Sequence, residues 1–185
     1  MVENVSGNLN LDNIQTLVQI AEGKAKLLKE CCIWALWFCN HSNGVKIELR
    51  EDSSTSLYII GWSDEGLDAE AITRSYNPDD AAEFGAEAIA LLISVERTEY
   101  DAVERSIKTT GIDYWLGFKN RHPNEPFHRA SRLEISGIMK ENKNNRVSTR
   151  EKKKLTQTEP TDGTFPVYVI VVEFSQPYAR MVLKK

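Results

Sequence analysis

The sequence lacks any apolar run long enough to cross a bilayer. Its longest run, from Cys31 to Cys39, has nine residues, whereas a spanning helix needs about 20. The amino terminus also lacks the basic and then apolar layout of a signal peptide. We therefore expect a cytoplasmic protein that does not enter a membrane.

Cysteine is scarce as well. The 185 residues include three cysteines, at positions 31, 32 and 39, and an odd, clustered set does not match a secreted disulfide framework. Their spacing fits no usual zinc-ligand pattern, so we expect free thiols. No motif for a small-molecule cofactor is evident.

Positive charge is sparse in the first half of the chain. Residues 1–97 carry a net charge of −9 and residues 98–185 a net charge of +5, which gives −4 overall. Basic residues concentrate between Lys140 and Lys154, where a phosphate-binding surface could lie. A solvated loop followed by an exposed helix face is the alternative interpretation of such a run.

The first 76 residues predict a helix and a β-hairpin. Apolar residues recur at three- and four-residue spacing from Leu11 to Leu28, as in an amphipathic helix. The apolar run that ends at Phe38 continues this helix or forms a buried strand. Alternating residues from Val45 to Trp62, with a polar turn between, predict the hairpin.

The remaining residues predict the order helix, strand, strand, strand, helix, strand. Asn77 followed by Pro78 is a strong helix start, and this helix should run to about Glu96. Strands are expected at 101–107, 111–118, 130–139 and 167–172, and a capping box at 148–151 should open a helix that ends near Gln157. The last long strand is nearly all β-branched, which indicates burial on both faces.

Two of these strands each contain one acid among apolar residues. Asp113 lies in the first block, Gly111 to Gly117, and Glu134 in the second, Leu133 to Gly137. Carboxylates in strands are costly to bury and need a partner, a cation or solvent. If the two acids face the same side of adjacent strands, a magnesium or manganese ion between them would relieve their repulsion.

This order of elements and these acids resemble the PD-(D/E)XK superfamily, the restriction-endonuclease-like nucleases, over residues 77–185. The resemblance implies a restriction-endonuclease-like core, preceded by an N-terminal helix and hairpin packed on it in one domain. It also implies metal-dependent hydrolysis of DNA or RNA, with Asp113, Glu134 and the helix acid Glu87, or else Glu83, at the metal. The same segments also resemble a small bacterial family within this superfamily.

The sequence departs from the superfamily at the motif lysine. Ser136 stands where a lysine two residues after Glu134 is expected, and a neutral hydroxyl cannot stabilise a developing anion in the same way. Lys140, the lysines at 152–154 and Arg132 are candidates to replace it. The expected nucleic-acid-binding residues are Arg132, Lys143, Arg146, Arg150, Lys152 and Lys153.

Other interpretations of these residues stay open. Asp113 could be a turn residue bonded to its own backbone, and Glu134 could form a salt bridge with Arg105 or near Arg132. The chain could then be a non-catalytic relative of the nucleases that binds nucleic acid or protein, as a homodimer through its N-terminal helix and hairpin. In a third interpretation the motif is accidental, and the two acids point to opposite faces of the sheet.

Overall fold

The computed structural model describes residues 4–185, in which eight strands form one mixed sheet. The strands are β1 (Val5–Asn10), β2 (Val45–Arg50), β3 (Thr55–Gly61), β4 (Tyr100–Arg105), β5 (Tyr114–Phe118), β6 (Ser131–Ile138), β7 (Val167–Glu173) and β8 (Tyr178–Lys184). Their order across the sheet is β1-β3-β2-β8-β7-β6-β5-β4. The predicted α/β class is confirmed, and β1 is a strand that the sequence pattern did not predict.

Residues 4–185 also contain five α-helices: α1 (Ile14–Val18), α2 (Glu22–Phe38), α3 (Ala69–Ser75), α4 (Pro78–Arg97) and α5 (Val147–Gln157). The predicted first helix is broken, because Gln19 adopts a left-handed conformation with φ of 57° and ends α1. The apolar run before Cys39 continues α2 and is not a strand. Within residues 4–185, no helix combines the length and apolar character that crossing a membrane requires.

Helix α4 begins as the sequence predicts. The Asn77 side chain accepts hydrogen bonds from the backbone N–H groups of Asp79 and Asp80, and Pro78 occupies the first turn. The helix packs between α2 and the sheet. A Cβ on Gly85 would lie 3.0 Å from the Cα of Cys32, so the glycine allows α4 and α2 to pack closely.

The two faces of the sheet are covered unequally. Helices α2 and α4 cover the face with the larger apolar core, and α5 covers a smaller core on the other face. Strand β7 contributes to both, since Val169 and Val171 pack on the α5 side whereas Ile170 and Val172 pack on the α4 side. The prediction of a strand buried on both faces is therefore confirmed.

The pairing around β6 creates the setting of the candidate site. Strand β5 pairs antiparallel with β4 on one side and with β6 on the other. Strands β6 and β7 are parallel and are connected through α5. The predicted capping box at the start of α5 is wrong: its cap residue is Arg146. The Glu141 carboxylate accepts a 2.6 Å hydrogen bond from the Val147 N–H instead.

Candidate active site

Asp113 lies directly before β5 rather than inside it. The pairing of β5 with β6 runs as far as Tyr114 opposite Leu133, and the Asp113 N–H donates a 2.9 Å hydrogen bond to the carbonyl oxygen of Leu133. The Oδ2 atom of Asp113 accepts a 2.8 Å hydrogen bond from the Ile135 N–H. A side-chain oxygen therefore replaces a backbone acceptor at this point, and the two strands separate beyond it.

Glu134 is the buried partner of Asp113. It is 1% exposed, and the negative charge of the neighbouring Asp113 carboxylate acts on it. Burial and the neighbouring Asp113 charge raise the pKa of Glu134 from 4.5 to about 8, although Lys154 acts in the opposite direction. The two acids therefore converge, and the interpretation with the acids on opposite faces is wrong.

Lys154 lies beside the pair of acids and belongs to a different element of the fold. Its ammonium group, on α5, forms a salt bridge with Glu134 Oε1, and its side chain is 17% exposed. The three lysines at 152–154 were candidates to replace the motif lysine, and of these Lys154 reaches the acid. Lys152 and Lys153 are exposed on α5.

Asp113 and Lys154 line a cleft of about 430 Å³, whereas the buried Glu134 is not part of its lining. One wall comes from the first half of α4, and the other comes from α5 and the segment that follows β6. The charged and polar residues that line it are Asp79, Glu83, Glu87, Arg105, Asp113, Ser136, Lys140, Asn145, Arg150 and Lys154. A cleft lined by four acids and four cations can accommodate an anionic ligand beside a metal ion.

Ser136 and Arg150 occupy the α5 side of this cleft. Arg150 Nη1 donates to Ser136 Oγ at 3.4 Å, and Arg150 Nη2 donates to Asn145 Oδ1 at 2.8 Å. Ser136 is 8% exposed. Arg150 therefore places a positive charge beside Ser136, while exposed Lys140 also lines the cleft.

Glu87 belongs to a second cluster on the α4 side. It is 4% exposed, and its Oε1 lies 2.8 Å from both Lys24 Nζ and Arg105 Nη1. The hydroxyl of Tyr114 donates to the same oxygen. Within residues 4–185 no group of three His, Cys, Asp or Glu side chains is arranged to hold a metal ion, so Glu87 is not gathered with the acid pair.

Arg132 does not fit its expected role in binding nucleic acid. It is 1% exposed, and its guanidinium group donates to Phe165 O at 2.8 Å, to Thr158 O at 3.2 Å and to Thr161 Oγ1 at 2.6 Å. These bonds hold the segment after α5 against β6. Lys143, Arg146, Lys152 and Lys153 are exposed, as a phosphate-binding surface requires.

The sequence interpretation missed the roles of Arg105, Tyr114 and Lys24. Arg105 lies opposite Tyr114 across β4 and β5, so strand alternation was a usable signal that the two share a face. The sequence interpretation instead considered Arg105 as the salt-bridge partner of Glu134. In the structure that partner is Lys154. Lys24 comes from distant α2 and carried no local signal.

Comparisons with models of protein families, with curated proteins and with solved structures give no significant match. The function is therefore inferred from the geometry of the cleft.

Proposed function

We propose that this protein is a nuclease-like enzyme that hydrolyses phosphodiester bonds of DNA or RNA with a divalent metal ion. The observation that carries the proposal is the grouping of Asp113, Glu134 and Lys154: Asp113 and Lys154 line one cleft, and the buried Glu134 is paired with Lys154. These are the two acids and the cation that the superfamily motif combines, with the lysine supplied from α5 rather than from position 136.

The order of elements supports the same conclusion. Helix α4, the antiparallel strands β4, β5 and β6, helix α5 and strand β7 follow one another as in the core of the PD-(D/E)XK nucleases. Strand β7 lies parallel to β6 after the α5 crossover. Asp113 at the start of β5 and Glu134 in β6 occupy positions equivalent to the superfamily acids.

The donor chemistry of the acid pair fits magnesium or manganese. Magnesium commonly uses one or two carboxylates, and fills its remaining positions with water and substrate phosphate. Asp113 and Glu134 supply two carboxylates; burial and then repulsion by Asp113 raise the pKa of Glu134, and a cation between them would remove that repulsion. When bound, the metal would polarise the phosphoryl oxygen and lower the pKa of a water molecule.

The chain's own residues would bind and orient the substrate. Lys154, fixed by Glu134, places a positive charge beside the pair, where negative charge would develop on the phosphoryl oxygens. Arg150 and Lys140 provide further cations on the same wall. The exposed residues Lys143 and Arg146 extend this surface away from the cleft.

A cleavage assay with matched variants tests the proposal. Purified protein should cut labelled DNA or RNA with magnesium or manganese and should lose the activity in chelator. Asp113→Asn, Glu134→Gln and Lys154→Met should each lower the cleavage rate by about 100-fold or more, the scale of removing one group that stabilises transition-state charge. Lys26→Met is the control, because the Lys26 side chain is 73% exposed on α2.

Absence of cleavage over a broad set of nucleic acids, together with absence of metal binding by calorimetry, would refute the enzymatic proposal. Equal loss of activity in Lys26→Met and Lys154→Met would refute the role of Lys154. Circular dichroism of each variant separates a lost fold from lost chemistry.

One observation favours a second candidate, a nucleic-acid-binding module that does not cut. Lys24, Arg105 and Tyr114 all contact Glu87, which leaves Asp113 and Glu134 without Glu87 as a third metal ligand. In that case Asp113→Ala and Glu134→Ala would change stability or binding, and the wild-type protein would show no cleavage under any metal condition.

A further inference from the structure

Glu87, Lys24, Arg105 and Tyr114 form the Glu87 cluster. This cluster presents the guanidinium group of Arg105 to the cleft. Arg105 Nη1 lies 2.8 Å from Glu87 Oε1 and 3.2 Å from the hydroxyl oxygen of Tyr114. The guanidinium also lies over the Tyr114 ring, 5.3 Å from its centroid. Three contacts to two buried side chains fix the orientation of Arg105.

The charge of this cluster is positive despite its buried acid. Glu87 contributes one negative charge, whereas Lys24 and Arg105 contribute two positive charges. The Arg105 side chain remains 46% exposed and lines the cleft. Both of its hydrogen bonds within the described chain use Nη1, so the guanidinium still has donors on Nε and Nη2 for a ligand.

The position of Arg105 relates this cluster to the acid pair. Arg105 lies opposite Tyr114 in the β4–β5 ladder, and the next residue, Ser106, donates a 2.8 Å hydrogen bond to the carbonyl oxygen of Asp113. Since neighbouring residues of a strand alternate between faces, Arg105 stands on the α4 side of a strand end whose α5 side holds Asp113 and Glu134.

We infer that Arg105 forms a second phosphate-binding subsite, which holds a phosphate group of the nucleic-acid strand next to the one at the acid pair. Glu87 and Tyr114 are positioning residues that hold the guanidinium for this ligand. A planar guanidinium suits phosphate because it donates two parallel hydrogen bonds. This inference rests on the proposed function, and it assigns Glu87 to Arg105 rather than to the metal.

Binding measured without metal tests the subsite. Fluorescence anisotropy with a fluorescein-labelled DNA duplex and its separated strand, in EDTA over a salt series, gives the affinity and its salt dependence. Arg105→Met should weaken binding by about tenfold or more. It should also reduce the slope of log K against log salt by about 0.9 for duplex or 0.7 for single strand, the value of one phosphate contact. Arg74→Met is the control, because the Arg74 side chain is 73% exposed on α3.

A double-mutant cycle tests the positioning role of Glu87. Glu87→Gln should weaken binding in EDTA in the wild-type background and should add little in the Arg105→Met background. If Glu87 were instead a metal ligand, Glu87→Gln would leave metal-free binding unchanged and would lower only the metal-dependent cleavage. Tyr114→Phe removes one hydroxyl and provides a second positioning variant, should Glu87→Gln fail to fold.

The outcomes separate this inference from the proposed function. If wild type cuts DNA and Arg105→Met binds with unchanged affinity and salt slope, the subsite is refuted and the nuclease proposal stands. If binding depends on Arg105 but no metal supports cleavage, the subsite stands and the hydrolytic proposal is refuted. If neither DNA form nor an RNA strand of the same sequence binds to wild type in EDTA, the subsite is overturned, and the cleavage assay with metal decides the nuclease proposal separately.

Discussion

Replacing Glu134 with glutamine should remove a pH dependence from the stability of the fold. In the folded protein the pKa of Glu134 is raised from 4.5 to about 8, so the folded state keeps a proton that the unfolded chain has already released. Stability therefore falls as the pH rises between these two values. Glutamine cannot titrate, and it keeps a carbonyl oxygen that can accept from Lys154.

The size of the effect follows from the difference between the two pKa values of Glu134. Because one unit of pKa difference corresponds to about 1.36 kcal/mol, raising the pH from about 5 to about 8 should cost wild type about 3 kcal/mol through Glu134 alone. Other titrating groups contribute equally to wild type and variant. The difference in unfolding free energy between Glu134→Gln and wild type should therefore grow by about 3 kcal/mol in favour of the variant.

Urea unfolding at a series of pH values, followed by circular dichroism in EDTA, measures this difference. Glu70→Gln is the control because the Glu70 side chain is 73% exposed on α3. The difference in unfolding free energy between Glu70→Gln and wild type should not grow with pH in this way. Added magnesium should restore the stability of wild type at the upper pH and should leave Glu134→Gln unchanged. A constant difference between Glu134→Gln and wild type across the pH range would refute the burial and repulsion inferred for Glu134.

Three further variants test other parts of the structure. Lys154→Met should destabilise the protein more at high than at low pH, because a protonated Glu134 no longer needs a cation; chemical unfolding at both pH values measures this. Gly137→Ala should lower stability by about 3 kcal/mol or prevent folding, since its Cβ would lie 1.8 Å from the carbonyl oxygen of Ala82; thermal unfolding measures the change. Asn77→Ala should cost about 1 kcal/mol through loss of the α4 cap, measured by urea unfolding.

Controls from the same chain sharpen these tests. Gly23→Ala matches Gly137→Ala, because no heavy atom lies within 4 Å of a Cβ placed at Gly23, and it should leave the fold intact. Lys26→Met matches Lys154→Met on an exposed helix face. If Gly137→Ala melted at the wild-type temperature, the close approach of α4 to β6 would be wrong. Likewise, if Lys154→Met lowered the free energy of unfolding equally at low and high pH, the pairing of Lys154 with Glu134 would be contradicted.

The local signals in the sequence were sufficient for most of the secondary structure after Asn77. The Asn77–Pro78 start of α4 and the β-branched β7 were predicted because cap chemistry and burial on both faces leave clear local patterns. The break at Gln19 was missed because a left-handed glutamine has no distinctive local sequence. β1 was missed because its core position rests mainly on Leu9, 2% exposed, and its partner β3 lies far along the chain.

The part of the candidate site that depends on two neighbouring strands was predictable from the sequence. Asp113 and Glu134 were expected together, and their contact follows from β5 and β6 being neighbours. The partners of the acids depend on long-range packing instead: Lys154 reaches Glu134 from a helix that crosses the sheet, and Lys24 reaches Glu87 from α2. Arg132 resembled a surface cation in sequence because nothing local shows that the segment after α5 would cover it.

Strand β8 has a consequence for the order in which the fold can be completed. It lies between β7 and β2 and pairs with β2 through Glu48, Leu49 and Arg50, so it joins the hairpin strands to the strands of the cleft. During synthesis, β2 and β7 both emerge before β8 and would present unpaired edges, which are templates for aggregation. The sheet cannot become continuous until nearly the last described residue has left the ribosome.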